Sequence, residues 1–487
     1  MEKSQLYYGD NLDVMQKFIR DESVDLCYID PPFNSKRNYN QIYNNIGKED
    51  KAQSIAFMDT WVWDTAAEHG LNTIKANERR LFSPQTIYLI TGLQKVLGNS
   101  SLLAYLISMT LRIAEIHRVL KPTGSFYLHC DPTASHYLKL VLDSIFCSGK
   151  GDFINEIIWC YKSGGMSRNY FQKKHDVIFF YTKSSEYKFN GDSIRIPYDE
   201  TSGYAKSGIK AKSGKVYMPN EKGKIPEDWW YINFINPLSK ERLGYPTQKP
   251  EELLDRIIRS SSDENDVVLD AYCGCGTTVA VAQKLKRRWI GIDITYQSIS
   301  LILKRLEDTY GRDVLDTITM SGVPVDIESA NALALKEDDR VRKEFEKWAV
   351  LTYSNNRAMI NEKKGSDGGI DGRAFVMESS DQFKEVLFSV KSGKVNSGMI
   401  RDLRGVLDRE NAAAGIFITL LPPTSEMLRE AISAGFYNNP ISAKPIPKIK
   451  IVTIEQILAG ERLDIPMASD VIKKARAIDV GEQQNLF

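Results

Sequence analysis

The chain has 487 residues, about three times the size of a common domain, so two or three domains are expected. With 42% hydrophobic residues it can bury sizeable cores, which excludes a mainly disordered chain. Its 64 basic and 63 acidic residues leave a formal charge of +1, which excludes a histone-like polycation and confines nucleic-acid contact to local patches.

The six cysteines (Cys27, Cys130, Cys147, Cys160, Cys273 and Cys275) are too scattered for a disulfide framework. Residues Met1–Gln5 start no signal peptide, and no apolar run reaches the roughly 18 residues of a membrane span. A cytoplasmic protein is expected.

Along the chain, strand-like apolar runs alternate with amphipathic helical stretches, the pattern of an α/β sheet protein. Residues 24–29 read as a buried strand ending at Asp30-Pro31-Pro32, where proline stops the ladder. Residues 35–108 are expected to form a mostly helical insertion. A helix closing at Lys121-Pro122 leads into a strand over 124–129. Between Lys162 and Lys224 stand thirteen Lys/Arg and six Asp/Glu, a net charge of +7, interleaved with tyrosines. Such a segment suits phosphates and bases, or is a solvated surface. Strands over 266–269 and 288–292 bracket a helix over about 277–285, a β-α-β unit. A third stretch, from near Asp338, reads as a helix over about 340–353 and a glycine-rich turn, Gly365–Gly372. Strands over 373–377 and 386–390, a helix over about 399–409 and a strand over 415–420 follow.

Two strings carry chemistry. Asp30-Pro31-Pro32-Phe33-Asn34 sits at the carboxyl end of a buried strand, where ligands bind in open α/β sheets. Asp30 and the Pro31 carbonyl can each accept a hydrogen from an exocyclic amine, Pro32 stiffens the turn, and Phe33 can stack on a base. A plain strand followed by a proline turn is the bland alternative. The second string, Asp270-Ala271-Tyr272-Cys273-Gly274-Cys275-Gly276-Thr277-Thr278, lies between strand and helix. Its glycines let backbone approach a cofactor, and the helix amides can receive a carboxylate. Asp293 lies 17 positions past Gly276, where an acid can bind ribose hydroxyls. Cys273 and Cys275 have no second Cys/His pair nearby, so they read as filler in a tight turn.

Together these strings resemble the β group of S-adenosylmethionine-dependent DNA amino-methyltransferases, in which the catalytic motif precedes the cofactor motif. Tyr8-Gly9-Asp10-Asn11, Leu128-His129-Cys130-Asp131 and Gly244-Tyr245-Pro246-Thr247-Gln248-Lys249-Pro250 resemble further family segments. The resemblance implies a Rossmann-like sheet, S-adenosylmethionine as donor, base flipping in double-stranded DNA, and catalysis by Asp30, Pro31, Pro32 and Phe33. It implies cofactor binding by Asp10, Asn11, Lys249, Pro250, Asp270, Tyr272, Gly274, Gly276, Thr277, Thr278 and Asp293. Adenine N6 is the favoured target and cytosine N4 the alternative; a non-catalytic methyltransferase half attached to a DNA-binding or nuclease protein is a third reading. The expected layout is a methyltransferase over 1–325, with a target-recognition region at 162–240. Lys36, Arg37, Lys162, Arg168, Lys173 and Lys174 are the candidate DNA contacts.

The last stretch, expected over 326–475, resembles a smaller restriction-endonuclease-like α/β domain of the Mrr kind. That implies Asp371, Ser389 and Lys391 as nuclease residues, with Mg2+ or Mn2+ at Asp371 and a further ligand from Glu344 or Glu346. Serine at 389 departs from the family's Glu, Asp or Gln and is a poor ligand for a hard cation. An active nuclease, a cleavage-dead DNA-binding module and an unrelated accessory domain all fit. The tail, 476–487, ends in Gln483-Gln484-Asn485-Leu486-Phe487, which resembles a sliding-clamp-binding peptide, with frayed terminus as the default.

Overall fold

The computed structural model describes residues 3–32, 37–45, 48–59, 61–162, 167–199, 201, 203–236, 238–239, 241–243, 245, 247–324, 326–335, 339–355, 357–361, 369–378, 383–440 and 445–465. Side chains over 37–45, 48–59, 204–205 and 339–341 lie outside that description.

The chain enters as strand β1 (Ser4–Tyr8), helix α1 (Asn11–Phe18) and strand β2 (Val24–Ile29). All six residues of β2 are buried, as in a parallel strand covered on both faces. The next stretch departs from the helical expectation, because β3 (Arg37–Asn45) and β4 (Lys48–Asp59) pair as an antiparallel ladder. Tyr39, Ile42, Tyr43, Ile55 and Phe57 are strand formers, and the intervening asparagines are weak helix formers. Helices come after it: α2 (Thr65–Ala76), α3 (Pro84–Leu97) and α4 (Ser101–Val119), whose inner face packs under the sheet.

Strand β5 (Leu120–Cys130), helix α5 (Ser135–Phe146), and strands β6 (Asp152–Cys160) and β7 (His175–Thr182) follow. The basic segment holds helix α6 (Gly203–Ser207), the hairpin β8 (Ile209–Lys210) and β9 (Val216–Tyr217), and strand β10 (Trp229–Tyr231). Then come α7 (Glu251–Ser261), β11 (Val267–Asp270), α8 (Thr277–Lys284), β12 (Arg288–Asp293), α9 (Tyr296–Tyr310) and β13 (Ile318–Ser321). Helix α7 buries Leu253, Leu254, Ile257 and Ile258 completely, each worth about 1.5–3 kcal/mol of apolar burial.

These strands form one nine-stranded sheet ordered β10-β6-β7-β5-β2-β11-β12-β1-β13. From β5 to β13 every neighbouring pair is parallel, whereas β7 runs antiparallel to both β5 and β6. The chain winds outward in both directions from the β2–β11 junction. That junction is the switch point at which open α/β sheets leave a crevice beyond the strand ends.

A second sheet is ordered β14-β15-β16-β17-β20, from β14 (Met359–Ile360), β15 (Gly372–Met377), β16 (Phe383–Lys391), β17 (Ala414–Thr419) and β20 (Ile449–Thr453). Strands β18 (Phe436–Tyr437) and β19 (Ile446–Pro447) form a small separate pair. Helices α10 (Ile327–Ala334), α11 (Asp339–Tyr353), α12 (Ser397–Glu410), α13 (Ser425–Ser433) and α14 (Ile454–Leu458) complete this part. Among the described residues no helix is long and apolar enough to cross a membrane.

Candidate active site

The crevice at the switch point collects most of the residues singled out above. Asp30 leaves the end of β2 and Asp270 closes β11, so two carboxylates meet across the strand-order reversal. Asp270 is buried, and burial pushes its carboxyl up to about 7, with hydrogen bonds from Thr278 and the Tyr272 amide pulling the other way. Pro31 is buried and Pro32 half-buried beside Asp30. Phe33, Asn34 and Lys36 lie outside the described residues, as does the side chain of Arg37.

Lys249, a candidate donor contact, lies beside Asp30 in the crevice. Its ammonium forms an ion pair with Asp30 Oδ2, so it serves the carboxylate of the first motif. Among the described residues, Asp30 Oδ1 is buried and accepts no hydrogen bond. Its near neighbour is His129, whose Nδ1 lies 3.8 Å away. His129 is completely buried: Nδ1 lies 3.0 Å from the Tyr28 hydroxyl and Nε2 lies 3.3 Å from Asp176 Oδ2. Burial opposes ionisation of Asp176, but the hydrogen bond and charge of His129 hold its carboxyl below the usual range. Tyr161 donates its hydroxyl to Asp176 Oδ1 at 3.2 Å. Its ring packs 4.1 Å from Phe234 and 5.1 Å from Trp159, centroid to centroid. Sequence reasoning gave His129 no role and missed Asp176. The available signal was a histidine inside an otherwise apolar strand, which demands a buried partner.

On the other side of the crevice, Gly276 (φ +73°) opens α8 with no side-chain cap, leaving first-turn amides free for an anion. A Cβ at Gly276 would stand 2.5 Å from Ile302 Cγ1, so the position demands glycine. Gly274 (φ +48°) lies against the ring of Tyr245, and its amide donates to Asp293 Oδ2 at 2.9 Å. Asp293 Oδ1 accepts from the Thr295 amide and hydroxyl, both at 2.9 Å. Burial nevertheless pushes the Asp293 carboxyl up to about 6. Cys273 and Cys275 are buried in this turn. Asp10 caps α1 through the Leu12 amide at 2.8 Å and pairs with Arg112 at 2.7 Å. Asn11 donates to the Ala271 carbonyl at 2.7 Å, tying the start of the chain to the glycine turn. Tyr272 is held against Met109, Thr277 and Thr278 are buried, and Pro250 precedes α7 as its N-cap.

The basic segment emerges at the same sheet edge, because β6 and β10 run parallel to each other and end there with β5 and β2. Lys162, Arg168 and Lys173 are exposed and Lys174 half-exposed, and Phe171 is 99% exposed. Lys162 Nζ lies 5.8 Å from the Tyr231 ring centroid. Cations and aromatic faces are thus presented beside the crevice.

A second group forms in the smaller sheet. Asp371 precedes β15 and accepts the Val390 amide at 2.7 Å; Ser389 and Lys391 lie on one face of β16. Glu346 faces them from α11. Burial and then Asp371 push its carboxyl up to about 7, with Lys391 acting in the opposite sense. Glu344 does not join this group. It accepts from the Tyr296 amide at 3.0 Å and pairs with Lys347 at 2.8 Å, because two residues turn a helix by about 200° to its other face. Among the described residues no three His, Cys, Asp or Glu side chains are assembled to hold a metal. Residues 365–368 of the glycine-rich turn and the terminal 483–487 lie outside the described residues.

Residues 24–304 match the DNA methylase family, and residues 341–442 match the Mrr-type restriction endonuclease catalytic family. The type II methyltransferase M.HpaI of Haemophilus parainfluenzae is 31% identical over 260 residues, covering 52% of this chain and 74% of that protein. The DNA adenine methyltransferase YhdJ of Escherichia coli (strain K12) is 29% identical over 308 residues, covering 63% of this chain and 83% of its own length. The chain belongs to the N6/N4 DNA methylase family and carries a C-terminal restriction-endonuclease segment.

Proposed function

We propose that this protein methylates the exocyclic amine of a flipped DNA base, adenine N6, with S-adenosylmethionine as donor. The observation that carries the reading is Asp30 Oδ1, a buried acceptor at the switch point with no hydrogen bond among the described residues, 3.8 Å from His129 Nδ1. Bound S-adenosylmethionine supplies a sulfonium methyl that is already activated. The residues that fit it are Gly274, Gly276 and the first amides of α8 for its carboxylate end and Asp293 for its ribose.

The chain's own groups then have defined tasks. Asp30 Oδ1 accepts one amine hydrogen and the Pro31 carbonyl the other, turning the nitrogen lone pair toward the donor side. Lys249 holds Oδ2, so the carboxylate keeps one orientation while Oδ1 takes the substrate. The amine's surplus proton leaves to Asp30 Oδ1, beside His129, whose far nitrogen is backed by Asp176. Tyr161 and Phe234 wall the base, and the cations at 162–174 meet flanking phosphates. An aspartate at the head of the first motif and the resemblance to an adenine methyltransferase support adenine over cytosine.

For the smaller sheet, the approach of Glu346 and Asp371 supports a divalent-cation site, since a cation relieves two facing half-buried carboxylates. Mg2+ or Mn2+ there would supply Lewis acidity, with Lys391 beside it. The chain as a whole is tested by incubating it with unmethylated double-stranded DNA and S-adenosylmethionine, then sequencing for modified bases. N6-methyladenine at one recurrent sequence is expected; DNA left unmodified contradicts the reading.

A further inference from the structure

Helix α11 belongs to the C-terminal segment, yet one of its side chains reaches the methyl-donor side of the large sheet. Tyr296 is the first residue of α9, three positions after Asp293. Thr295, the N-cap of α9, accepts the Ser298 amide at 3.3 Å, but the Tyr296 amide has no partner inside its own helix. Glu344 Oε2 takes it at 3.0 Å. An anion is favoured at that position because the amide points out and the helix dipole is positive there. The contact is reinforced on both sides. The Tyr296 hydroxyl lies 3.0 Å from the Thr352 hydroxyl on the same α11, and Tyr8, at the end of β1, packs edge-on against Tyr296 at 6.0 Å. The Glu344 carboxylate also faces the Tyr8 hydroxyl and, after burial, is the next cause opposing its ionisation.

We infer that Glu344 is a positioning residue of the donor pocket: it caps α9 from the C-terminal segment and so fixes the Asp293–Thr295 turn. The inference rests on the assignment of Asp293 to the donor's ribose. Its consequence is linkage. If Glu344 helps hold the turn that binds donor, bound donor must by the same factor secure α11 against the large sheet. Glu346, on the opposite face of α11, belongs to the Asp371–Lys391 group, so one helix touches both centres.

Calorimetric titration of S-adenosylmethionine into the full chain tests this, with hydrogen exchange read over residues 342–353. Glu344→Ala is expected to raise the donor Kd about 5- to 30-fold, toward the lower end for coupled sites. Glu344→Gln keeps an acceptor but no charge and is expected between the two; Thr352→Val is expected to shift Kd in the same direction by less. Donor should slow exchange over 342–353 in the wild type and not in Glu344→Ala. An unchanged Kd in Glu344→Ala with native melting behaviour overturns the inference while leaving the donor pocket intact. If Glu344→Ala does not fold, Glu344→Gln carries the test, and its unchanged Kd and exchange overturn the inference equally. A wild type that binds no donor overturns instead the assignment beneath it.

Discussion

The two sheets hold their carboxylates in different ways. At the large sheet each acid has a protein partner in place: Lys249 on Asp30, Thr278 and the Tyr272 amide on Asp270, Thr295 and the Gly274 amide on Asp293. In the smaller sheet the half-buried Glu346 and Asp371 oppose each other, with Lys391 as a compensating charge and the Val390 amide on Asp371. The first arrangement is pre-organised for an organic donor and a base, where orientation is the main demand. The second brings two acids together, the arrangement for which a cation site is proposed. Acids that already have partners lose function when removed; acids that repel gain stability when one is neutralised.

The largest expected effect is at Asp30. Asp30→Ala should lower methyl transfer by about 10³-fold or more while leaving donor Kd within about twofold, because orientation and charge dispersal at the amine are lost without touching the donor. Kinetics and calorimetry on one preparation check both halves. Asp293→Ala should do the converse. Loss of a charged hydrogen-bond acceptor predicts a donor Kd raised about 10- to 100-fold, with methyl transfer recovering at saturating donor. Asp176→Asn removes the backing of His129 and should lower kcat about 3- to 10-fold at unchanged donor Kd, with a displaced pH–rate profile. An unmoved profile would reduce Asp176 to a packing role.

The smallest effect sharpens the contrast between sheets. Glu346 has its folded-state pKa raised from 4.5 to about 7, so the native state binds the extra proton and its ionisation destabilises the fold. That cost grows as pH rises from about 4.5 to about 7 and is constant above. Glu346→Gln should therefore melt higher than wild type by a margin that widens through this window and then levels off. Mg2+ or Mn2+ should narrow the margin by stabilising the wild type at neutral pH. A margin that shrinks with rising pH contradicts the assignment.

How much of this was legible in the sequence follows from how local each feature is. The β2 run ending in two prolines, and the glycine turn followed by Asp293, are contiguous signals, and the fold places them where the strand pattern predicts. The β3–β4 ladder was not legible, because scattered aromatic and β-branched residues in an asparagine-rich stretch give no firm period. Long-range partners were illegible for a different reason: Asp30 and Lys249 are 219 positions apart, and His129 and Asp176 are 47 apart. Glu344 and Glu346 were indistinguishable as residue types. Only the packing of both faces of α11 separates a helix cap from a member of the second carboxylate group.

The most direct test of the central claim is to supply S-adenosylmethionine labelled in its methyl group, digest the DNA to nucleosides and identify the labelled one. The account predicts label in N6-methyldeoxyadenosine with the wild type and none with Asp30→Ala. Label on a carbon of the base, or undiminished labelling by Asp30→Ala, would contradict it.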